Sequence, residues 1–180
     1  MERKLSTVFA LDVVGYSKLM ANDEARALSN LKMRREFIDS LIEEFGGRIF
    51  NTAGDSVMAE FGSPVRAVEC SVQIQNRSQS LNTKADSKDQ MSFRIGINVG
   101  DVMVSEDNLF GDAINIAARL EAEANIDGIC ISQSTFDMVN LKINVSYEDA
   151  GELALKNIGR PIRAYNLTKS KGATRGLISS

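Results

Sequence analysis

Residues 9–17, FALDVVGYS, and residues 51–61, NTAGDSVMAEF, decide how this chain folds. In each, an apolar run suited to a strand meets a turn at one aspartate. Thr7 to Leu11 stops abruptly at Asp12, with Gly15 close behind. Ile49 and Phe50 lead through Asn51-Thr52-Ala53-Gly54 to Asp55, after which Val57, Met58 and Phe61 resume a strand. A carboxylate at a strand end is open to solvent and held on rigid backbone, which suits a metal ligand. Two of them brought together repel unless a cation lies between them.

The elements around these motifs follow from periodicity. Leu5–Val13 reads as a buried strand. From Asp23 to Phe45, Leu28, Leu31, Ile38, Leu41, Ile42 and Phe45 recur at helical spacing, and Gly46-Gly47 ends the helix. A hairpin follows, 48–51 and 56–61, with its turn at 52–55. Pro64 opens a second helix carrying Val65, Val68, Val72 and Ile74. Residues 76–90 are polar and read as a surface loop. Met91–Val99 alternates as a strand, and 102–104 continues it. The order β-α-β-β-α-β is ferredoxin-like. The expected class is therefore α+β, a mostly antiparallel sheet flanked by helices. A C-terminal extension adds a helix near 112–124, a strand at 129–131, a helix at 133–139 and two or three strands. In such a sheet the first strand lies antiparallel beside the third, so Asp12 and Asp55 should meet at one edge. Residues 1–168 form one domain, and the Ser/Gly/Lys-rich segment 169–180 reads as a disordered tail.

Composition narrows the function. The chain has 180 residues, 43% hydrophobic, enough for one core. A net charge of −3 leaves no electrostatic footprint for nucleic acid. With no histidine, Ser-His nucleophilic catalysis and imidazole ligation are excluded. Cys70 and Cys130 lack metal spacing and read as buried thiols of a cytoplasmic protein. No apolar run approaches the roughly 20 residues that span a bilayer, and no signal peptide is apparent.

A third segment, DNLFGDAINIAARLE at 107–121, places Asn115 and Arg119 four apart on a helix, roughly 6 Å from each other on one face. An arginine with an amide one turn earlier suits a phosphoryl group. Taken alone, Arg119 could equally pair with Glu123 in solvent.

Together these segments resemble the catalytic domain of the class III nucleotidyl cyclases. FALDVVGYS and AGDS are similar to the family's two metal motifs. FGDAINIAARLE is similar to its asparagine–arginine segment, and LKNIGRPIRAYNL to its closing strands. The resemblance implies that Asp12, Asp55 and the carbonyl of Val13 hold two Mg²⁺ or Mn²⁺ ions. It implies a phosphate cradle from backbone amides of Val14, Gly15, Tyr16 and Ser17, with Lys156 at the terminal phosphates. Asn115 would orient the ribose and Arg119 would neutralise the α-phosphate. The implied assembly is a head-to-tail homodimer, each site shared between two chains.

Two departures concern the base and the phosphates. Adenylyl members commonly place lysine where Asn51 stands, with Asp, Thr or Ser where Asn108 stands; guanylyl members use Glu and Cys. Here both are carboxamides, able to read either purine. The acidic mark of guanine preference is absent, which favours ATP over GTP, with pyrimidine triphosphates a minor alternative. Asp101 is taken as standing where many relatives carry a phosphate-facing arginine. The reading is thus an adenylyl cyclase domain. Its rivals are a weakly active regulatory module of the same fold and a palm-like transferase, which lacks support because no Gly-Gly-acidic-acidic-Phe turn occurs.

Overall fold

Alternation along the first strand divides the molecule into two faces. In β1 (Glu2–Val13), Phe9, Leu11 and Val13 point to one side while Val8, Ala10 and Asp12 point to the other. The computed structural model describes residues 2–168; the segment expected to be a disordered tail lies outside them. Helix α1 (Tyr16–Asn22) follows, then α2 (Glu24–Glu44), whose cap is Asp23 accepting from Arg26 N at 3.1 Å. The hairpin β2 (Gly47–Ala53) and β3 (Ser56–Phe61) leads to α3 (Pro64–Lys84), capped by Ser63. Next come β4 (Phe93–Ser105), β5 (Asn108–Phe110), α4 (Asp112–Glu123), β6 (Ile129–Ser132), α5 (Gln133–Val139), β7 (Ser146–Leu153) and β8 (Ile162–Thr168).

The strands form one sheet in the order β2-β3-β1-β4-β6-β8-β7, with β5 hydrogen-bonded to β4. Every pairing is antiparallel except β4 with β6. The expected α+β class and ferredoxin-like order are borne out, and β1 does lie antiparallel beside β3, Leu11 opposite Val57. One face is packed by α2 and α3 over a core that includes Phe9, Leu11, Ile38, Phe61, Val68 and Ile97. Each such fully buried side chain contributes roughly 1.5–3 kcal/mol relative to exposure. The other face carries α4, over Val8, Ala10, Met58 and Val102.

Two expectations need correction. Residues 76–90 are not a surface loop, because α3 continues to Lys84 and a 3₁₀ turn spans Ser87–Asp89. Two polar residues of that stretch turn inward: Ser78 Oγ and Asn82 Nδ2 both donate to Met91 O, at 3.3 and 2.9 Å. The hairpin turn is narrower than 52–55, since β2 reaches Ala53 and the turn is Gly54-Asp55, with Gly54 left-handed at φ 60°. Helix α1 and strand β5 were also unforeseen.

Candidate active site

The two acidic motifs do converge. The backbone N–H of Val13 donates to Asp55 Oδ2 at 2.9 Å, so the hairpin tip is tied to the residue that follows Asp12. Both aspartates are half-buried. The charge of Asp55 also reaches Tyr16, whose phenol is pushed up first by burial and then by Asp55 and Glu24.

Register places two further charged groups here that the sequence reading missed. Arg94 is the cross-strand partner of Asp12 and shares its face. Its Nε is buried without a hydrogen-bond partner. Glu121, on the last turn of α4, is buried near Asp12. Burial first, then the nearness of Asp12 and the charges of Asp12 and Asp55, push its carboxyl well above the usual carboxylate range, while Arg94 pulls the other way. A signal for Arg94 was present in the sequence: it is a charge on the small-residue side of an otherwise apolar alternating strand.

Asp101 is a different matter. It stands opposite Leu5, seven places along β1 from Asp12, which is opposite Arg94. At about 3.3 Å per residue that is roughly 23 Å from the aspartates. The chain's own arginine beside Asp12 is Arg94, and the expectation that Asp101 occupies the arginine position is corrected.

Helix α4 is held by backbone. Asn98 Nδ2 donates to Ala113 O at 3.1 Å, and a Cβ on Gly96 would stand 2.4 Å from Ala117 O and 2.3 Å from Glu121 N. Ala113, Ala117 and Glu121 therefore face the sheet. Asn115 and Arg119 lie two residues to either side of Ala117, a rotation of about 200°. Asn115 is exposed and Arg119 half-exposed, both on the side of α4 turned away from the sheet.

The remaining candidates are distributed over the surface. Gly15 (φ 64°) caps α1, so the amides of Tyr16 and Ser17 open a helix and have no intrahelical acceptor. Val14 does not fit the expected cradle, because its N–H donates to Ser92 O at 2.8 Å. Asn51 and Asn108 are both exposed, and their neighbours Phe50 and Leu109 belong to one apolar cluster. Asn108 Oδ1 accepts from Leu109 N at 2.9 Å. Lys156 is exposed on the loop between β7 and β8.

A cleft of about 720 Å³ is lined by Gly100, Asp101, Asp112, Ser134, Arg160 and Arg163 among others, and contains none of Asp12, Asp55, Asn115 or Arg119. Concavity does not mark the carboxylates. Among the described residues, no three His, Cys, Asp or Glu side chains converge to hold a metal ion. The donor set is instead two carboxylates and nearby backbone. That suits Mg²⁺, which keeps waters and substrate oxygens in its shell.

The family profile described as adenylate and guanylate cyclase catalytic domain matches residues 2–169. The chain belongs to that family. As a class III nucleotidyl cyclase catalytic domain, it is 37% identical over 166 residues to a Rhizobium meliloti protein whose name proposes it as adenylate cyclase 3, covering 92% of this chain and 28% of that one. The chain spans less than a third of the curated relatives it matches. Among solved structures it is similar to an adenylate/guanylate cyclase/hydrolase from Silicibacter pomeroyi, with a TM-score of 0.87 and 38% identity over 93% of this chain and 98% of that one. The guanylate cyclase domain of RhGC from Catenaria anguillulae, in complex with GTP, shares the fold at a TM-score of 0.78 and 21% identity, covering 95% of this chain and all of that one. Among the described residues, no helix of this cyclase domain is long and apolar enough to cross a membrane.

Proposed function

We propose that this domain converts ATP to 3′,5′-cyclic AMP and pyrophosphate at the interface of a head-to-tail homodimer. One observation carries the reading. Asp12 and Asp55 meet at one edge, while Asn115 and Arg119 of the same chain face outward from α4. A second copy is needed to complete the set, and a two-fold dimer supplies two such sites.

Asp12, Asp55 and the carbonyl of Val13 are the groups that would hold two Mg²⁺ or Mn²⁺ ions. When bound, these supply a lowered pKa at the ribose 3′-hydroxyl and neutralisation of the leaving pyrophosphate. The amides of Gly15, Tyr16 and Ser17 donate to phosphate oxygens, and Arg94 adds a cation on the Asp12 face. Arg119 of the partner subunit offers its planar fork to the α-phosphate as charge builds there, and Asn115 of the partner subunit orients the ribose. Lys156 draws in the terminal phosphates. Asn51 and Asn108 read the base edge, each amide able to donate and accept. Positioning and electrostatics do the work, with no covalent intermediate on the protein. A cytoplasmic setting fits the buried free thiols Cys70 and Cys130.

A weakly active regulatory module is the second reading. It is favoured by Asn108, whose side-chain oxygen is already engaged by Leu109 N. Incubating the domain with ATP, GTP, CTP or UTP and each of Mg²⁺ and Mn²⁺, then identifying products by mass, separates the two. Cyclic AMP in excess of the other products supports the first reading, and no cyclic product under any condition supports the second.

A further inference from the structure

Arg48 makes a bond that the sheet does not require. Its Nη1 donates to Asp107 O at 2.9 Å, across 59 residues of chain. In the sheet β2 is separated from β4 by β3 and β1, so this bond runs over a face rather than along a ladder. Its far end is the two-residue turn Glu106-Asp107 that joins β4 to β5, with Glu106 left-handed at φ 56°. Among the described residues β5 pairs with β4 alone, so no other strand steadies that turn.

A bulge sets the near end. Arg48 stands opposite Glu60 and Asn51 opposite Met58, with the pairing shifted between Ile49 and Asn51. Glu60 and Met58 are two apart on β3 and share a face. Arg48 and Asn51 therefore share it as well, although a spacing of three would part them in a regular strand. It is the face on which Met58 clusters with Phe50 and Leu109. Glu60 Oε1 accepts from Arg48 Nε at 2.9 Å, which holds the planar fork with Nη1 on Asp107. One residue further on, Asn108 Oδ1 accepts from Leu109 N at 2.9 Å. The Asn108 amide is thus pinned to its own backbone and moves with it.

We propose that Arg48 is a positioning residue for base selection, holding the β4–β5 turn so that Asn108 keeps a fixed place relative to Asn51. The proposal rests on the base-reading role given to Asn51 and Asn108 above. Both bonds of Arg48 lie at the exposed surface, where charged pairs add little to stability. Its loss is therefore felt in the placement of Asn108 more than in the fold.

The test measures kcat/KM for ATP and GTP in competition, with Mn²⁺ and the purified domain. Arg48→Met keeps the apolar stem and removes the fork. The ratio between the preferred purine and the other should fall about two- to tenfold, the worth of one hydrogen bond, through a higher KM for the preferred nucleotide. Arg48→Gln, with one terminal amide in place of the fork, should do the same. Asn108→Ala should lower the ratio too. Adding Arg48→Met to Asn108→Ala should change it by less than about twofold more, because a residue that acts through Asn108 then has nothing left to place.

Equal loss for both purines would mean that Arg48 serves only the fold or the overall charge, and would overturn the proposal. An unchanged ratio in Arg48→Met, multiplying losses in the double variant, or a wild-type domain without preference would overturn it too. A preference for GTP would count against the ATP reading and leave the test of Arg48 as it stands. Absence of any cyclic product would count against the cyclase reading. The ratio is then taken from the dissociation constants of ATP and GTP with Mn²⁺ by titration calorimetry, with the same expected fall, and binding of neither purine would overturn the proposal.

Discussion

The Val13 amide donates to Asp55 Oδ2 at 2.9 Å across 42 residues of chain, and so closes the tip of the β2–β3 hairpin onto the end of β1 beside Asp12. Asp55 thus has two separable duties. Asp55→Ala should lower cyclase activity by more than about 100-fold, beyond what supporting residues of metal sites cost. It should also lose about 1–3 kcal/mol of stability by orphaning a partly buried N–H. Asp55→Asn keeps an acceptor for Val13, so urea unfolding should return toward wild type while activity stays low.

Gly96 allows α4 to lie directly on β4. A Cβ there would meet Glu121 N at 2.3 Å and Ala117 O at 2.4 Å, both backbone atoms with no rotamer to yield. Gly96→Ala should destabilise by about 1–3 kcal/mol, as overpacked cores do. By lifting the helix that carries Asn115, Arg119 and Glu121, it should also lower activity more than stability alone explains. Rates measured well below the unfolding temperature check this.

Glu60 joins three strands through Arg48 Nε at 2.9 Å and Lys4 Nζ at 3.1 Å. Burial by itself would raise its pKa, but the bonds to Lys4 and Arg48 outweigh burial and hold it below the ordinary 4.5. The folded state thus favours the ionised form. Its stabilisation is fully present above about pH 4.5 and is lost as pH falls through the lower folded value. With partners more than two-fifths exposed, Glu60→Gln should cost about 0.5–1 kcal/mol at pH 7. Urea unfolding at pH 7 and pH 3 should show that difference shrinking at the lower pH.

Asn51 and Asn108 each adjoin a member of one apolar cluster, Phe50 and Leu109. Replacing them together with Glu and Cys, the guanylyl pair, should raise the GTP-to-ATP ratio of kcat/KM. A hydrogen bond gained with guanine and lost with adenine gives about tenfold at roughly 1.4 kcal/mol. Competition between the two nucleotides with both products quantified is the measurement.

The parts of the fold that were legible were those written in apolar periodicity: β1, α2, the β2–β3 hairpin and β4. Topology then brought Asp12 to Asp55. The second half of α3 was not legible, because the buried Gln75 and Ser78 and the half-buried Asn82 are polar residues that bond carbonyls of neighbouring loops and strands. Polarity there reports internal hydrogen bonding, and periodicity analysis reads it as solvent. Glu121 was hidden for a related reason, being a charge on the buried face of a helix. Arg94 became meaningful only once the register placed it opposite Asp12. Val14 could not be told from its neighbours in the cradle until its N–H was seen to be taken by Ser92 O.

Complementation tests the shared site most directly. Asp55→Ala and Arg119→Ala should each be nearly inactive as homodimers, the arginine loss alone amounting to roughly 10³-fold. The purified mixed dimer of the two should recover about half the wild-type rate, one intact site of two. A mixed dimer that assembles and stays folded yet shows no recovery would contradict the account.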